Sequence, residues 1–180
     1  MKALLAIAGV IDAVNEHIGR VVSWLTVLMV LVTVVIVVLR YGFNMGYIWM
    51  QESVRFMYAF VFMLCAGYTL LHNGHVRVDV FYLKMSERGR AMVDIFGSVF
   101  FLIPVCAVIF IFSWDYVLNS WADFEGSMEE RGLHAVFLLK TCLWAFSVLM
   151  IAQALSRIIH GGATLLGIEH ETGEKGAQGF

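Results

Sequence analysis

The chain has 180 residues, 61% of them hydrophobic and only 14% charged, with one proline, a formal net charge of -2, a pI near 6.3 and a mean hydropathy of +0.82. Water-soluble domains run nearer half apolar and a quarter charged, so this composition belongs to the bilayer. There is no basic stripe to grip nucleic acid, and Cys65, Cys106 and Cys142 lie far apart inside apolar runs, with no Cys/His cluster to hold a metal. The cysteines read as small packing residues, and neither a cofactor nor a metal is expected.

Ahead of the first span, Leu4, Ile7, Ile11, Val14 and Ile18 recur at steps of three and four, while Lys2, Asp12, Asn15, Glu16 and His17 fall elsewhere. That periodicity predicts an amphipathic helix lying on the membrane surface. A cleavable leader is the competing reading, since Lys2 precedes Ala6-Ile7-Ala8, but almost no apolar stretch lies before that site. A hydrocarbon core of about 30 Å asks for about 20 apolar residues in a helix. The first such stretch, 21–39, lies between Arg20 and Arg40 and is interrupted only by Ser23, Thr26 and Thr33. The second, 56–71, is short, so its helix extends back to Trp49 and forward to His72, which sets both ends at the headgroups. The third, 95–114, is flanked by Asp94 and Asp115 and contains Pro104, which removes one backbone bond and bends the helix. The fourth, 141–156, lies between Lys140 and Arg157; the apolar run 133–139 extends its helix back beyond the membrane, with Ser127 and Glu130 as a capping box. Residues 169–180, rich in Gly and Glu without periodicity, read as a disordered tail. The expectation is an all-α integral membrane protein: one four-helix domain over 1–168, with spans about 21–39, 49–72, 95–114 and 134–157, plus the N-terminal interfacial helix.

Lys and Arg are retained on the cytoplasmic side of a membrane. Lys2, Arg20, Arg77, Lys84, Arg88, Arg90, Arg157 and Lys175 fall on one side of the four spans, against Arg40, Arg55, Arg131 and Lys140 on the other. Both termini are therefore expected in the cytoplasm. The acidic group Asp115, Asp123, Glu125, Glu129 and Glu130 falls on the opposite face.

A self-sufficient channel or carrier needs ionisable groups or broken helices at membrane depth. Within the apolar stretches 21–39, 56–71, 95–114 and 141–156 there is no Asp, Glu, Lys, Arg or His. Gln153, with the small pair Ala152 and Ser156, suits close helix packing instead. A scaffold or accessory role follows from the chemistry. The polar residues gather at the membrane edges: Trp49-Met50-Gln51-Glu52-Ser53-Val54-Arg55 enters the second span, and His72-Asn73-Gly74-His75-Val76-Arg77-Val78-Asp79 leaves it. Glu52 and Arg55, three apart, share one helical face. The plain reading of both segments is interfacial anchoring.

Three features in order resemble the small membrane subunit of tripartite ATP-independent periplasmic (TRAP) transporters, and the likeness covers nearly the whole chain. Arg40-Tyr41 closes the first span, Trp49 to Arg55 looks like the family's tryptophan-acidic-arginine entry, and Gly74 to Asp79 is similar to its glycine-histidine-x-x-valine-aspartate turn. Gln51 departs from the pattern, since the family commonly has a second acidic residue there. The second half, with Ser120-Trp121, Glu125-Gly126-Ser127, Leu139-Lys140 and Gln153, looks like the branch for α-keto acids and related organic acids. The resemblance implies an inner-membrane, sodium-coupled symport system. In it a periplasmic substrate-binding protein delivers an organic anion to a large membrane subunit, which the small subunit braces. Trp49, Glu52, Arg55, His75, Arg77 and Asp79 would then hold the ends of the second helix at the subunit interface or membrane edge. Asp123 and Glu125 are candidates for docking the binding protein. Two alternatives stand beside this: a haem-b membrane anchor of an electron-transfer complex, because His72 and His160 end two spans on one side, and an orphan structural membrane protein.

Overall fold

The computed structural model describes residues 2–75, 82 and 84–167. Val76, Arg77, Val78, Asp79 and the tail beyond Gly167 lie outside the described residues. The helices are α1 (Lys2–Gly42), α2 (Ile48–Leu64), α3 (Ala66–Leu71), α4 (Glu87–Gly97), α5 (Ile103–Phe112), α6 (Trp114–Ala122) and α7 (Val136–Leu165), with a π turn over Ser98–Leu102 between α4 and α5. Among the described residues they make four units long and apolar enough to cross a membrane: Lys2–Gly42, Ile48–Leu71, Glu87–Ala122 and Val136–Leu165.

The first is one unbroken helix of 41 residues, about 60 Å at 1.5 Å per residue, which is twice the hydrocarbon thickness. The N-terminal segment is helical, as its periodicity implies, and it continues straight into the first span. Its turned-in residues repeat on a seven-residue step: Ala8, Asn15 and Val22 are buried, and Met29 and Ile36 continue the series half-buried. The side with Ala8, Asn15 and Gly19 meets the bundle, whereas Leu4, Ile7 and Val14 face out. The sequence places Asn15 on the helix's water side; the structure buries it. Small residues explain the choice, because a Cβ on Gly19 would fall 2.3 Å from the Tyr68 ring and one on Gly67 would fall 2.2 Å from Asn15 Oδ1.

Irregularities in the other units have local causes. Pro104, second in α5, has no N–H, and in a regular helix its ring would press on the carbonyl of Phe100. The chain absorbs this one turn earlier, where the N–H of Ile103 donates to Ser98 O across the π turn. The last helix starts at Val136 rather than at the expected capping box: the Ser127 oxygen accepts from the Glu129 N–H two residues on, which closes a local turn instead of a helix, and its hydroxyl donates to Glu52.

The last helix is the hub. It packs against α1, α2, α3, α4, α5 and α6, while α1 packs on α2, α3 and α7. Leu70, Cys106 and Met150 close the centre, with Leu102, Phe146 and Ile151 around them. Cys106 and Cys142 are buried and all three cysteines are free. Toward the loop end, Trp144 stacks on Trp114 at 4.7 Å between ring centroids and lies 5.8 Å from Phe110.

The close approach of α1 to α3 is directly testable. Gly67→Ala must push Asn15 aside, and overpacking of this kind costs about 1–3 kcal/mol; a Cβ on Gly9 meets nothing within 4 Å. Thermal melts in detergent are expected to show a lower Tm for Gly67→Ala and an unchanged or slightly higher one for Gly9→Ala.

Candidate functional site: the two ends of the second span

The entry into α2 is built around a carboxylate. Glu52 is 7% exposed; its Oε1 accepts from the Ser127 hydroxyl at 2.5 Å and its Oε2 from the Leu133 N–H at 2.6 Å. A buried carboxylate needs such donors, since an unsatisfied one costs several kcal/mol in an apolar setting. Two glycines make room, because a Cβ on Gly132 would strike Ser127 and Glu52, and one on Gly126 would strike His134. Glu52 therefore anchors the loop between α6 and α7 to the second span. Arg55, one turn further on, is exposed and makes no hydrogen bond or ion pair among the described residues. The shared face inferred from their spacing does not make them a pair: one turns in and the other out. Trp49 is exposed in the first turn of α2, with its ring 6.4 Å from that of Tyr47.

The same loop is held from its other side. Lys140 pairs with Glu125, and its ammonium stands 3.9 Å from the centre of the Tyr116 ring. The hydrogen bond from Lys140 holds the Glu125 carboxyl below the usual glutamate value. Of the two acidic residues singled out for docking, Glu125 is thus taken by a neighbour, while Asp123 is exposed at the end of α6. Met128, fully exposed, marks the loop's tip beside exposed Glu129 and Glu130.

At the far end of the second span, α3 stops in a turn with Asn73 at φ 54 and the Gly74 N–H donating to Thr69 O at 2.8 Å. This left-handed residue followed by glycine satisfies the last carbonyls of the helix. His75 follows, exposed, while Arg77 and Asp79 lie outside the described residues. The turn presents His72 to Glu16 of α1 at 2.6 Å and Asn73 to Arg157 of α7. Arg157 also lies 3.6 Å from Asp94, which accepts from the Tyr82 hydroxyl at 2.8 Å.

Beside this turn lies a polar cluster that the sequence reading missed. Asn15, 1% exposed, donates to Gln153 Oε1 at 2.8 Å. Asp12 accepts from Gln153 Nε2 at 2.8 Å and from the Ser156 hydroxyl at 2.6 Å, and it meets His160 at 3.0 Å. The signal was the stripe shared by Ala8, Asn15 and Gly19: small residues flanking an amide mark a close helix contact. The two histidines considered for haem, His72 and His160, are each held by a carboxylate of α1.

The protein-family model for the DctQ component of the tripartite ATP-independent periplasmic transporters matches residues 29–163, which include the Glu52 anchor, the turn after α3 and nearly all of α7. The chain belongs to the DctQ family. It is thus a transporter component rather than an enzyme, as the resemblance implied. A Haemophilus influenzae protein provisionally named a TRAP transporter small permease protein is 33% identical over 93 residues, covering 50% of this chain and 57% of the relative. The chain therefore matches little more than half the length of that relative. No solved structure matches it significantly.

Two measurements probe the loop anchor of this DctQ chain. Glu52→Ala leaves the Ser127 hydroxyl and the Leu133 N–H without their acceptor, a loss of about 1–3 kcal/mol, so trypsin is expected to cut after Arg131 faster than in the parent. Glu125 has a lowered pKa, so its contribution to stability is present above the ordinary glutamate range and fades as pH falls through its folded value. Acidification toward about pH 3 is expected to speed cleavage within this loop by an acid-active protease, and Glu125→Gln is expected to weaken that pH dependence, leaving the part due to Glu52.

Proposed function

We propose that this chain is the small, non-transporting membrane subunit of a TRAP transporter for organic acids, and that it braces the large membrane subunit that carries the substrate inward with sodium. One observation supports this above the others. The charged side chains turned into the bundle, Asp12, Glu52, Asp94, Lys140 and Arg157, each have a partner within the chain. Carriers expose unpaired groups or broken backbone to their cargo at mid-membrane; here the charge is spent on holding helices together. The family's tripartite plan supplies the missing carrier, and the resemblance of the second half to the organic-acid branch supplies the substrate class.

In this reading the chain sits in the bacterial inner membrane with both termini in the cytoplasm, supported by the eight-to-four distribution of Lys and Arg. The loop tied down by Glu52 and Lys140 then faces the periplasm. Its exposed Asp123, Glu129 and Met128 form the surface offered to the periplasmic binding protein. Trp49 and Arg55 at one end of the second span, with His75, Arg77 and Asp79 at the other, fix that span at the membrane edges beside the large subunit.

Reconstitution checks the division of labour. The chain alone in vesicles is expected to take up no organic acid under a sodium or proton gradient, whereas the chain with its large subunit and binding protein does; uptake by the chain alone overturns the bracing role. A cysteine at Asp123 is expected to label from the periplasm, and a reporter fused after Phe180 to be active in the cytoplasm. Arg55→Ala is expected to reduce recovery of the large subunit on co-purification, while Glu129→Ala leaves assembly intact.

A further inference from the structure

The hydrogen bond from Asn15 to Gln153 fixes the depth of α1 in the bilayer. Gln153 lies inside the apolar stretch 141–156, so residues 17–20 of α1, which precede the stretch 21–39, are already level with hydrocarbon. Lipid covers the aliphatic side chains exposed along this helix, as it does on any span. At one place, however, the surface offered to lipid is concave. Just beyond the Asn15–Gln153 contact α1 parts from α7 and leaves an apolar groove of about 440 Å³, open to the outside. Ile18 and Val21 of α1, Leu64 of α2, and Val148 and Leu149 of α7 line it.

The shape of the groove selects its occupant. Helices in contact hold their axes about 8–10 Å apart, and a further helix is at least about 10 Å across with its side chains, so none can enter between α1 and α7 so close to their contact. A thin, flexible chain can. The lining on α1 runs from His17 to Val22, about 8 Å at 1.5 Å per residue, and everything in it beyond His17 is aliphatic. His17 itself is exposed and makes no hydrogen bond or ion pair among the described residues. A polar ring at this depth is costly without a partner. Side chains on a helix lean toward its N terminus, which tips the imidazole toward the headgroups and away from the aliphatic lining.

We infer that this groove is a phospholipid site. One acyl chain of a phospholipid, from the leaflet on the side of the N terminus, lies between Val21, Leu64 and Val148, and a phosphate or glycerol-ester oxygen accepts from the ring N–H of His17. The order of groups along the groove matches the order in the ligand, polar at the rim and apolar toward the middle of the membrane. The lipid fills the wedge that the chain leaves between its first and last helices, so it belongs to the bundle and does not exchange with the surrounding annulus. The site is independent of the bracing role proposed above, because it needs only the membrane and this chain.

The test reads lipid retention. The full chain is reconstituted in nanodiscs of phosphatidylethanolamine and phosphatidylglycerol, extracted into detergent and weighed by native mass spectrometry. The parent is expected to keep one phospholipid through detergent exchange. Val21→Trp and Val148→Trp fill the groove and are expected to lower the retained fraction at least about tenfold, since transfer of a few methylenes accounts for a factor of that size. Val27→Trp, exposed on α1 but outside the groove lining, is expected to change nothing. His17→Ala is expected to lower retention about fivefold, the size of one net hydrogen bond, and His17→Gln, which restores a donor, to recover it. Helicity and monodispersity are measured for each variant, and where a Trp variant loses its fold the His17 pair decides. A parent that keeps no phospholipid, equal retention by parent and groove variants, or an equal loss in Val27→Trp leaves only an ordinary annulus and overturns the site. A Val148→Cys variant that cross-links directly to the large subunit in the assembled transporter also overturns it, because a partner side chain then occupies the groove.

Discussion

The hydrogen bond between the amides of Asn15 and Gln153 joins residues 138 apart in sequence at a site hidden from solvent and lipid. Water is absent as an alternative partner in such a place, so each amide is committed to the other, and the rest of the amino-terminal end is arranged around that commitment. One oxygen of Asp12 accepts from the Gln153 amide nitrogen and the Ser156 hydroxyl, and its second oxygen engages His160. Glu16, one turn along, engages His72 and Arg20. Gly19 and Gly67 let the backbones come close enough for these contacts. Individual polar contacts between membrane helices are modest, roughly 0.6–2 kcal/mol each, but this set ties α1 to both its neighbours at a single level.

The opposite end solves a different problem with similar chemistry. A loop of mixed charge between α6 and α7 has to keep a fixed shape outside the apolar core. Glu52 reaches it from the second span and Lys140 from the fourth, so it is pinned from two sides. The DctQ chain thus uses its few charges as fasteners at the two rims and leaves the middle to Leu70, Cys106, Met150 and the stacked tryptophans.

Much of this was legible in the sequence, for identifiable reasons. The four spans follow from hydropathy alone, because nothing but a helix satisfies its backbone in lipid. The segment from Trp49 to Arg55 stood out by composition, and the structure puts one of its charges at the anchor of the α6–α7 loop. What spacing could not give was direction. Glu52 and Arg55 are three apart, yet the partners that turn Glu52 inward are Ser127 and Leu133, some 75 and 81 residues away. Asn15 looked like a water-facing residue because its immediate neighbours are polar; only the partner far along the chain makes it a core residue. Ser127 was read as a helix cap, but its oxygen closes only a two-residue turn onto the Glu129 N–H while its hydrogen goes to Glu52 far along the chain.

The position of α7 as hub has a consequence for how the protein is made. Translation delivers α1 to α6 into the membrane before α7 exists, yet each of them packs against α7. The third span, whose contacts run chiefly to α7, has nothing to hold it until that helix arrives. The first two spans can pack on each other from the start, but Asn15 and Asp12 still lack the amide and hydroxyl that α7 supplies. Closure of the bundle therefore waits for the last helix, which alone brings the groups that pair the polar stripe of α1.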